Sequence, residues 1–268
     1  MTVTITQLYS YPIKSCAAIE HQTITLNQMG LKGDRQLMLV DENGLFLSQR
    51  KHQKMALIKP TWSEQGLQVE APGMEQILID LNQNTAELLT VDIWKDSLQA
   101  ESMQAHVNQW FSDYLNTSVS LVKYGQQSHR AIDPDYAKNQ ETVAFADGYP
   151  LLVAHQATLV QLNQELEKPI GMDRFRPNVV LQSDFPAWNE LNWLGLSGDS
   201  VKIDLVKPCT RCVMTGIEQA TGQNTGTEVL MTLRKKFAHN DKAVFGINGI
   251  AKIEDSVELR IGQNLKPN

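Results

Sequence analysis

The first hundred residues alternate apolar and polar positions in short runs separated by turn residues. Alternation is typical of β-strands, because successive side chains of a strand point to opposite faces. Strands are predicted at 3–9, 24–26, 37–40, 45–47, 55–58, 67–69, 77–81 and 88–94. The turn Asp41-Glu42-Asn43-Gly44 predicts a hairpin, because Asn-Gly tolerates the positive φ angles of tight turns. We therefore expect a barrel or sandwich in this half of the chain.

The hydrophobic period lengthens near residue 102. Apolar residues at 107, 110, 111, 114 and 115 recur at the spacing of one helix face. Further helices are predicted around 159–166 and 229–237, and strands at 119–122, 178–181, 201–206, 244–247 and 257–261. The predicted fold class is mainly β with helices (α+β), divided into two barrel-like domains of residues 1–122 and 123–268.

Composition narrows the class of protein. The chain of 268 residues is 42% hydrophobic and 20% charged, which is typical of soluble globular proteins. It has no apolar stretch long enough to cross a membrane and no secretory signal at its start, so we expect a cytoplasmic protein. Thirty acidic against 24 basic residues give a net charge of −6, which argues against nucleic acid as the main partner.

Two cysteines, Cys209 and Cys212, follow a predicted strand. A neighbouring cation such as Arg211 stabilises the reactive thiolate form of a cysteine. Cys-x-x-Cys is also found in zinc sites, but only Cys16 or a distant histidine would supply the two missing ligands here. A thioredoxin-like dithiol expects a strand-to-helix junction, whereas β-branched and turn residues follow this pair. The six histidines show no metal-ligand or triad spacing, and we expect them to be structural or at the surface.

Basic residues recur beside small hydrogen-bond donors in three remote segments. These segments carry Lys14 with Ser15, Arg35, and Arg174 with Arg176. Guanidinium groups bind phosphate through paired hydrogen bonds, so their recurrence in an acidic chain predicts an anion pocket. Arg50 would add to this pocket.

Six motifs occur in a specific order along the chain. They are Tyr-Pro-Ile-Lys-Ser at 11–15, Gly-Asp-Arg at 33–35, 47–50 followed by Ala-Leu-Ile at 56–58, Phe-Ala-Asp-Gly-Tyr-Pro at 145–150, Arg-Phe-Arg-Pro-Asn at 174–178 and Pro-Cys-Thr-Arg-Cys at 208–212. In these motifs the chain resembles MOSC-domain proteins that carry an N-terminal MOSC β-barrel domain, a group that includes the mitochondrial amidoxime-reducing components and bacterial reductases of N-hydroxylated bases. The resemblance covers nearly the whole chain. It implies an N-terminal MOSC β-barrel-like domain over 1–122 and a MOSC β-barrel domain over 123–268.

The resemblance implies a molybdenum cofactor (molybdopterin), a pterin dithiolene phosphate that holds molybdenum. Cys212 matches the protein ligand of the molybdenum. The implied contacts of the cofactor's phosphate and pterin are Lys14, Ser15, Arg35, Asp147, Gly148, Tyr149, Arg176, Asn178, Thr210 and Arg211. A soft thiolate suits such a metal site, and an anionic cofactor needs cations around it. For Cys209, a small buried hydrophobe and a role in electron or sulfur transfer remain alternatives.

The implied function is that of a molybdenum-cofactor-dependent oxidoreductase, which reduces small N-hydroxylated or N-oxide substrates. The chain shows no cysteine cluster for an iron–sulfur centre, so we expect electrons from a separate flavoprotein or ferredoxin. The alternative is a sulfur carrier or molybdenum-cofactor-handling protein with a persulfide on Cys212 or Cys209, because the family takes its name from molybdenum-cofactor sulfurases. A catalytically silent binding module is the third possibility.

Overall fold

The computed structural model describes residues 1–83, 85, 87–137 and 139–268. The first half of the chain contains β1 (Val3–Ser10), β2 (Ile19–His21), β3 (Thr23–Asn27), β4 (Gly30–Leu31), β5 (Leu37–Val40), β6 (Lys59–Ser63), β7 (Gly66–Glu70), β8 (Ile77–Ile79), β9 (Leu88–Ile93), β10 (Asp96–Ser102), α1 (Ala105–Leu115) and β11 (Ser120–Lys123). The second half contains β12 (Leu151–His155), α2 (Gln156–Asn163), β13 (Val179–Gln182), β14 (Gly195–Gly198), β15 (Val201–Thr210), α3 (Glu228–Lys236), β16 (Val244–Ala251), β17 (Val257–Arg260) and β18 (Asn264–Pro267). Strands dominate, which confirms the predicted fold class.

A closed barrel forms the larger part of the molecule. Within the described residues its seven strands follow the order β13-β12-β16-β15-β14-β18-β1, and β1 pairs back to β13. The closing register places Ile5 opposite Leu181 and Leu8 opposite Val179. Side chains of both strands enter one hydrophobic core, which favours this register over a shift by one residue. The first strand of the chain therefore completes a barrel whose other strands come from residues 151–267.

Smaller sheets form the rest of the N-terminal half. Strands β5, β11, β10 and β9 make one sheet, and β6, β7 and β8 make another. The two sheets share one hydrophobic core, and helix α1 packs into it. The helix does so through Val107, Trp110, Phe111 and Tyr114, which lie on the face that the periodicity predicts. Strand β3 pairs with β4 on one side and, on the other, with β17 from the other end of the chain. Strand pairing thus crosses the proposed division at residue 122, and the division itself stays a prediction.

One predicted strand of the N-terminal half is wrong, and one predicted hairpin forms only in part. The segment predicted as a strand at 55–58 lies in a 3₁₀ helix, Gln53–Leu57, which buries Met55 and Ala56. A short apolar run suits either structure, and here burial favours the helical turn. The turn at 41–44 forms, with the Gly44 N–H donating to the Asp41 carbonyl, but a single bridge between Val40 and Phe46 replaces the second strand of the hairpin.

Helix α2 ends earlier than the leucine pattern predicts, because the Asn163 side chain bonds to the chain that follows it. Its amide donates to the Ile170 carbonyl, and its carbonyl oxygen accepts from the Ile170 N–H, both at 3.0 Å. Leu166 therefore lies beyond the helix, half-buried against the core beneath it. In the described part of the chain, no helix combines the length and hydrophobicity that a membrane crossing requires.

Candidate functional site

A cleft of about 290 Å³ opens where loops of the N-terminal half face one end of the barrel. The residues predicted for the site come from five segments of the chain, and all of them line this cleft. They are Lys14, Ser15, Arg35, Asp147, Gly148, Tyr149, Arg176, Asn178, Thr210, Arg211 and Cys212. The structure therefore brings the predicted residues together.

Lys14 lies on the loop after β1 and is 5% exposed. Its ammonium donates to the Asp147 carboxylate at 2.5 Å and to the Phe145 carbonyl at 2.8 Å. Burial lowers the pKa of Lys14, and the negative charge of Asp147 acts against this shift. Partial removal from water raises the pKa of Asp147. The charge and hydrogen bond of Lys14 lower it more, so the pKa of Asp147 lies below its usual range. The two groups form an ion pair at neutral pH.

Tyr11 holds two arginines from opposite halves of the chain. The Arg35 and Arg176 guanidinium carbons lie 4.1 and 4.2 Å from the centre of its ring. The Tyr11 hydroxyl donates to the Pro177 carbonyl at 3.1 Å, and its backbone N–H donates to Asp34 at 2.8 Å. Burial raises the pKa of Tyr11 far above its usual value, so the ring stays neutral. The stack concentrates positive charge beside the cleft, and this charge favours the binding of an anionic ligand.

Asn178 connects Arg35 to the barrel. Its side-chain oxygen accepts from Arg35 and from the Leu152 N–H, both at 3.1 Å, and its amide donates to the Tyr9 carbonyl at 3.1 Å. The residue is 1% exposed, so these bonds are made away from water. Asn178 thereby orients the Arg35 guanidinium, which also donates to Asp34 at 2.7 Å.

The two neighbouring cysteines lie at the end of β15. Cys212 is exposed at the start of a 3₁₀ helix, Val213–Gly216, and Cys209 is partly buried. The Arg211 guanidinium donates to the Cys209 sulfur at 2.9 Å and to the Phe175 carbonyl at 2.7 Å. Cys16 instead belongs to the N-terminal hydrophobic core, where burial raises the pKa of its thiol to about 12. Among the described residues, no three His, Cys, Asp or Glu side chains cluster in a way that could hold a metal ion.

The cleft is strongly basic although the chain is acidic. Among the described residues, seven basic side chains line it against one carboxylate, that of Asp147. The basic ones are Lys14, Arg35, Arg50, Arg174, Arg176, Lys207 and Arg211. This charge suits an anionic ligand and explains how a protein of net charge −6 can hold one.

Several lining residues were not predicted to belong to the site. Lys207 directly precedes the cysteine motif, so proximity in the sequence could have identified it. Arg174, in contrast, lines the cleft as the anion-pocket pattern predicts. Phe46 and Trp94 carry no such signal. Trp94 reaches the cleft from the turn between β9 and β10, where it has a φ of 58° and donates to Asp147 at 3.2 Å. Only the tertiary structure, which packs that hairpin against Phe145, places Trp94 here.

The barrel and the basic, cysteine-containing cleft agree with two domain families. The MOSC N-terminal beta barrel domain matches residues 2–118, and the MOSC domain matches residues 140–266. The chain is therefore a MOSC-domain protein of the class that carries the additional N-terminal domain.

Curated relatives match nearly the whole chain. It is 29% identical over 276 residues to mitochondrial amidoxime reducing component 2 of Macaca fascicularis. This alignment covers 97% of this chain and 82% of the relative. It is 28% identical over 264 residues to molybdenum cofactor sulfurase of Bos taurus, which covers 91% of this chain and 30% of that longer protein. A solved structure, the YUAD protein of Bacillus subtilis, has a TM-score of 0.47 and 11% identity over 99% of this chain and 94% of that one.

Proposed function

We propose that the protein is a molybdenum-cofactor-dependent reductase of small N-hydroxylated or N-oxide compounds. One observation carries the proposal: an exposed thiol, that of Cys212, lies in a cleft whose charged lining, among the described residues, consists of seven basic side chains and one carboxylate. The similarity to an amidoxime reducing component over almost the full length of the chain supports this assignment. The enzyme class follows from this proposal.

The residues of the cleft fit the implied cofactor. A thiolate is a soft ligand that suits molybdenum, and the basic wall suits a phosphate. In addition, the Nε atom of Arg211 is buried without a hydrogen-bond partner among the described residues. Buried polar groups are normally paired, so this orphaned guanidinium N–H next to Cys212 indicates an acceptor that arrives with a ligand.

Each part of the cleft would have a distinct task. Cys212 would supply the metal ligand, with Thr210 and Arg211 beside it. Lys14, Ser15, Arg35 and Arg176 would hold the phosphate and pterin, while Asn178 keeps Arg35 oriented. The backbone of the segment Asp147, Gly148 and Tyr149 would line the pterin. When bound, the cofactor supplies the two-electron chemistry, and the chain supplies position and charge.

The reaction balances with two electrons and two protons. A substrate N–OH group loses its oxygen as water and leaves an N–H group, so each turnover consumes two electrons and two protons. Electrons would come from a separate flavoprotein or ferredoxin, and protons from water that enters the open cleft. The exposure of Cys212 allows a small substrate to reach this point of the cleft.

A second candidate is a sulfur carrier or cofactor-handling protein. The hydrogen bond from Arg211 to the Cys209 sulfur favours it, because a guanidinium stabilises a thiolate that could bear a persulfide. The similarity to a molybdenum cofactor sulfurase points the same way.

Exchange of each cysteine tests both candidates. We would purify the wild-type protein, Cys212→Ser and Cys209→Ser from cells that make the cofactor, and measure molybdenum, pterin, labile sulfur and amidoxime reduction with a reduced viologen dye. The reductase predicts that Cys212→Ser alone loses molybdenum and activity. Labile sulfur on metal-free wild-type protein, lost with either cysteine, would instead identify the carrier. The matched variant Cys209→Ser shows whether removal of any thiol of the motif disturbs the cleft.

A further inference from the structure

Arg50 has hydrogen-bonding capacity that the protein does not use. In the described part of the chain, neither a carbonyl nor a side chain accepts a hydrogen bond from its guanidinium, and its Nε atom is buried. The residue forms no ion pair with any described carboxylate, yet it lines the cleft. A guanidinium presents five N–H donors in a planar arrangement that matches a carboxylate or phosphate.

Most other basic residues of the cleft already have protein acceptors. Lys14 donates to Asp147, Arg35 to Asp34 and Asn178, and Arg211 to Cys209 and Phe175. Arg174 and Arg176 likewise donate to neighbouring oxygens. Apart from Arg50, the described residues leave one further basic group of the cleft without an acceptor, the single ammonium of Lys207, which lies over the Tyr136 ring.

Aromatic side chains fix the position of the Arg50 guanidinium. Its central carbon lies 4.3 Å from the centre of the Trp94 ring, and Phe46 packs against the same ring with centroids 4.9 Å apart. Trp94 is held in turn by its hydrogen bond to Asp147. The guanidinium is therefore preorganised, so binding an anion costs little side-chain entropy.

The surroundings of Arg50 indicate a ligand that enters from solvent. Trp94 is 42% exposed, whereas Lys14 and Arg176, which are proposed to hold the cofactor, are 5% and 9% exposed. An exposed indole beside a free guanidinium offers an apolar face and an anion-binding group to the same molecule.

We propose that Arg50 and Trp94 form a substrate-binding subsite for an aromatic compound that carries a carboxylate. The carboxylate bonds to Arg50, and the aromatic ring packs beside Trp94 and Phe46. This inference rests on the proposed function and specifies its substrate class as N-hydroxylated aromatic acids.

Steady-state kinetics with paired substrates test the subsite. We would compare 4-carboxybenzamidoxime with uncharged benzamidoxime on cofactor-loaded wild-type protein, Arg50→Gln and Arg50→Lys. Arg50→Gln should raise KM for the carboxylate about tenfold, with kcat and the KM for benzamidoxime changed less than about twofold. Arg50→Lys should recover part of the loss. Equal effects on both substrates, or no effect on either, would overturn the proposal.

Two further measurements show whether Arg50 binds the substrate's carboxylate, binds the cofactor's phosphate, or acts only through the total charge of the cleft. If Arg50 binds the cofactor's phosphate instead, Arg50→Gln will lower the molybdenum and pterin content, which contradicts the subsite. The matched variant Lys207→Gln removes the other cation that has no acceptor among the described residues. If only the total charge of the cleft mattered, Lys207→Gln would raise KM for the carboxylate as much as Arg50→Gln does. The subsite predicts that it shifts KM for the carboxylate much less.

Ligand binding tests the subsite even if no amidoxime is reduced. Benzoate added to the purified protein should quench tryptophan fluorescence, and Trp94→Phe and Arg50→Gln should each abolish this saturable signal. Benzamide, which has no charge, should not produce it, and Trp62→Phe should retain it. Reduction without a benzoate signal would overturn the subsite alone, whereas a benzoate signal without reduction would overturn only the proposed function.

Discussion

Three of the residues predicted for the site adopt backbone conformations that side chains other than glycine usually avoid. Ser15, Arg35 and Arg176 have φ angles of 66°, 46° and 56°. Each such residue costs on the order of 1 kcal/mol and persists only where its surroundings hold it in place. The Arg35 N–H donates to the Tyr11 carbonyl, and the Arg176 N–H to the Asp173 carbonyl. Left-handed backbone at these positions turns the two arginines toward the same tyrosine.

A buried acid lies away from the cleft. Glu190 is fully buried, and its carboxyl oxygens lie 2.7 and 2.9 Å from the Thr158 hydroxyl. The His155 Nδ1 atom, which has no hydrogen-bond partner among the described residues, lies 3.9 Å from the same group. Burial raises the pKa of Glu190 from 4.5 to about 7 and lowers the pKa of His155. Near pH 6 Glu190 is therefore mainly uncharged, and burial favours the neutral form of His155.

Because the pKa of Glu190 is raised in the folded state, we expect the protein to lose stability as the pH rises. The unfolded chain releases this proton near pH 4.5 and the folded chain near pH 7, so the folded state holds the extra proton between these values. The free energy of unfolding should then fall by roughly 3 kcal/mol across this range through this group. Urea unfolding of the wild-type protein and Glu190→Gln, from pH 4.5 to pH 8, measures the effect.

The glutamine variant isolates this one group. Its amide oxygen can still accept from Thr158 and it carries no charge, so the two proteins should be similar in stability near pH 4.5. Glu190→Gln should become the more stable protein above pH 7. A constant difference between them at all pH values would show that Glu190 does not titrate in this range.

At the scale of elements, alternation identified β1, which has one partly exposed face, but missed β12, which is buried on both faces. Strand β1 alternates, and its pattern predicts it. Every residue of β12, Leu151–His155, is buried, because β12 lies between β13 and β16 in the barrel. A continuous apolar run does not distinguish a buried strand from the helix that follows it, so the periodicity alone did not identify β12.

The position of Gly246 in β16 leaves no room for a larger side chain. Gly246 has a φ of 73°, and a Cβ atom there would lie 2.6 Å from the Val153 carbonyl oxygen of the neighbouring strand. Gly246→Ala should therefore lower the free energy of unfolding by about 2 kcal/mol or more. Urea unfolding measures the loss.

Gly262 provides the control for the backbone angle. Its φ is 83°, but nothing lies within 4 Å of a Cβ atom built there. Gly262→Ala should cost only about 1 kcal/mol, because it carries the backbone strain without the contact. Equal losses in the two variants would mean that the close approach of β12 and β16 has no effect.

For the whole molecule, barrel closure connects the two ends of the chain. Strand β1 pairs with β13 on one side and β18 on the other. We expect that a fragment of residues 123–268 will not fold cooperatively, because it lacks β1 and so leaves one edge of β13 and one edge of β18 unpaired. Thermal unfolding followed by near-UV circular dichroism measures this. Co-expression with residues 1–35 should restore a cooperative transition, whereas a cooperative transition of the fragment alone would support a division at residue 122.

The sequence alone determined the mainly β fold class, the face of α1 and the segments that supply the cleft, because periodicity and ordered motifs are local properties of the chain. Only the tertiary structure decided which groups meet. Arg35 bonds to Asn178 across 143 positions, and Trp94 packs against Arg50, because barrel closure and the β9–β10 hairpin place them together. Whether a cation has an acceptor depends on such distant contacts, so the free guanidinium of Arg50 was visible only in the fold.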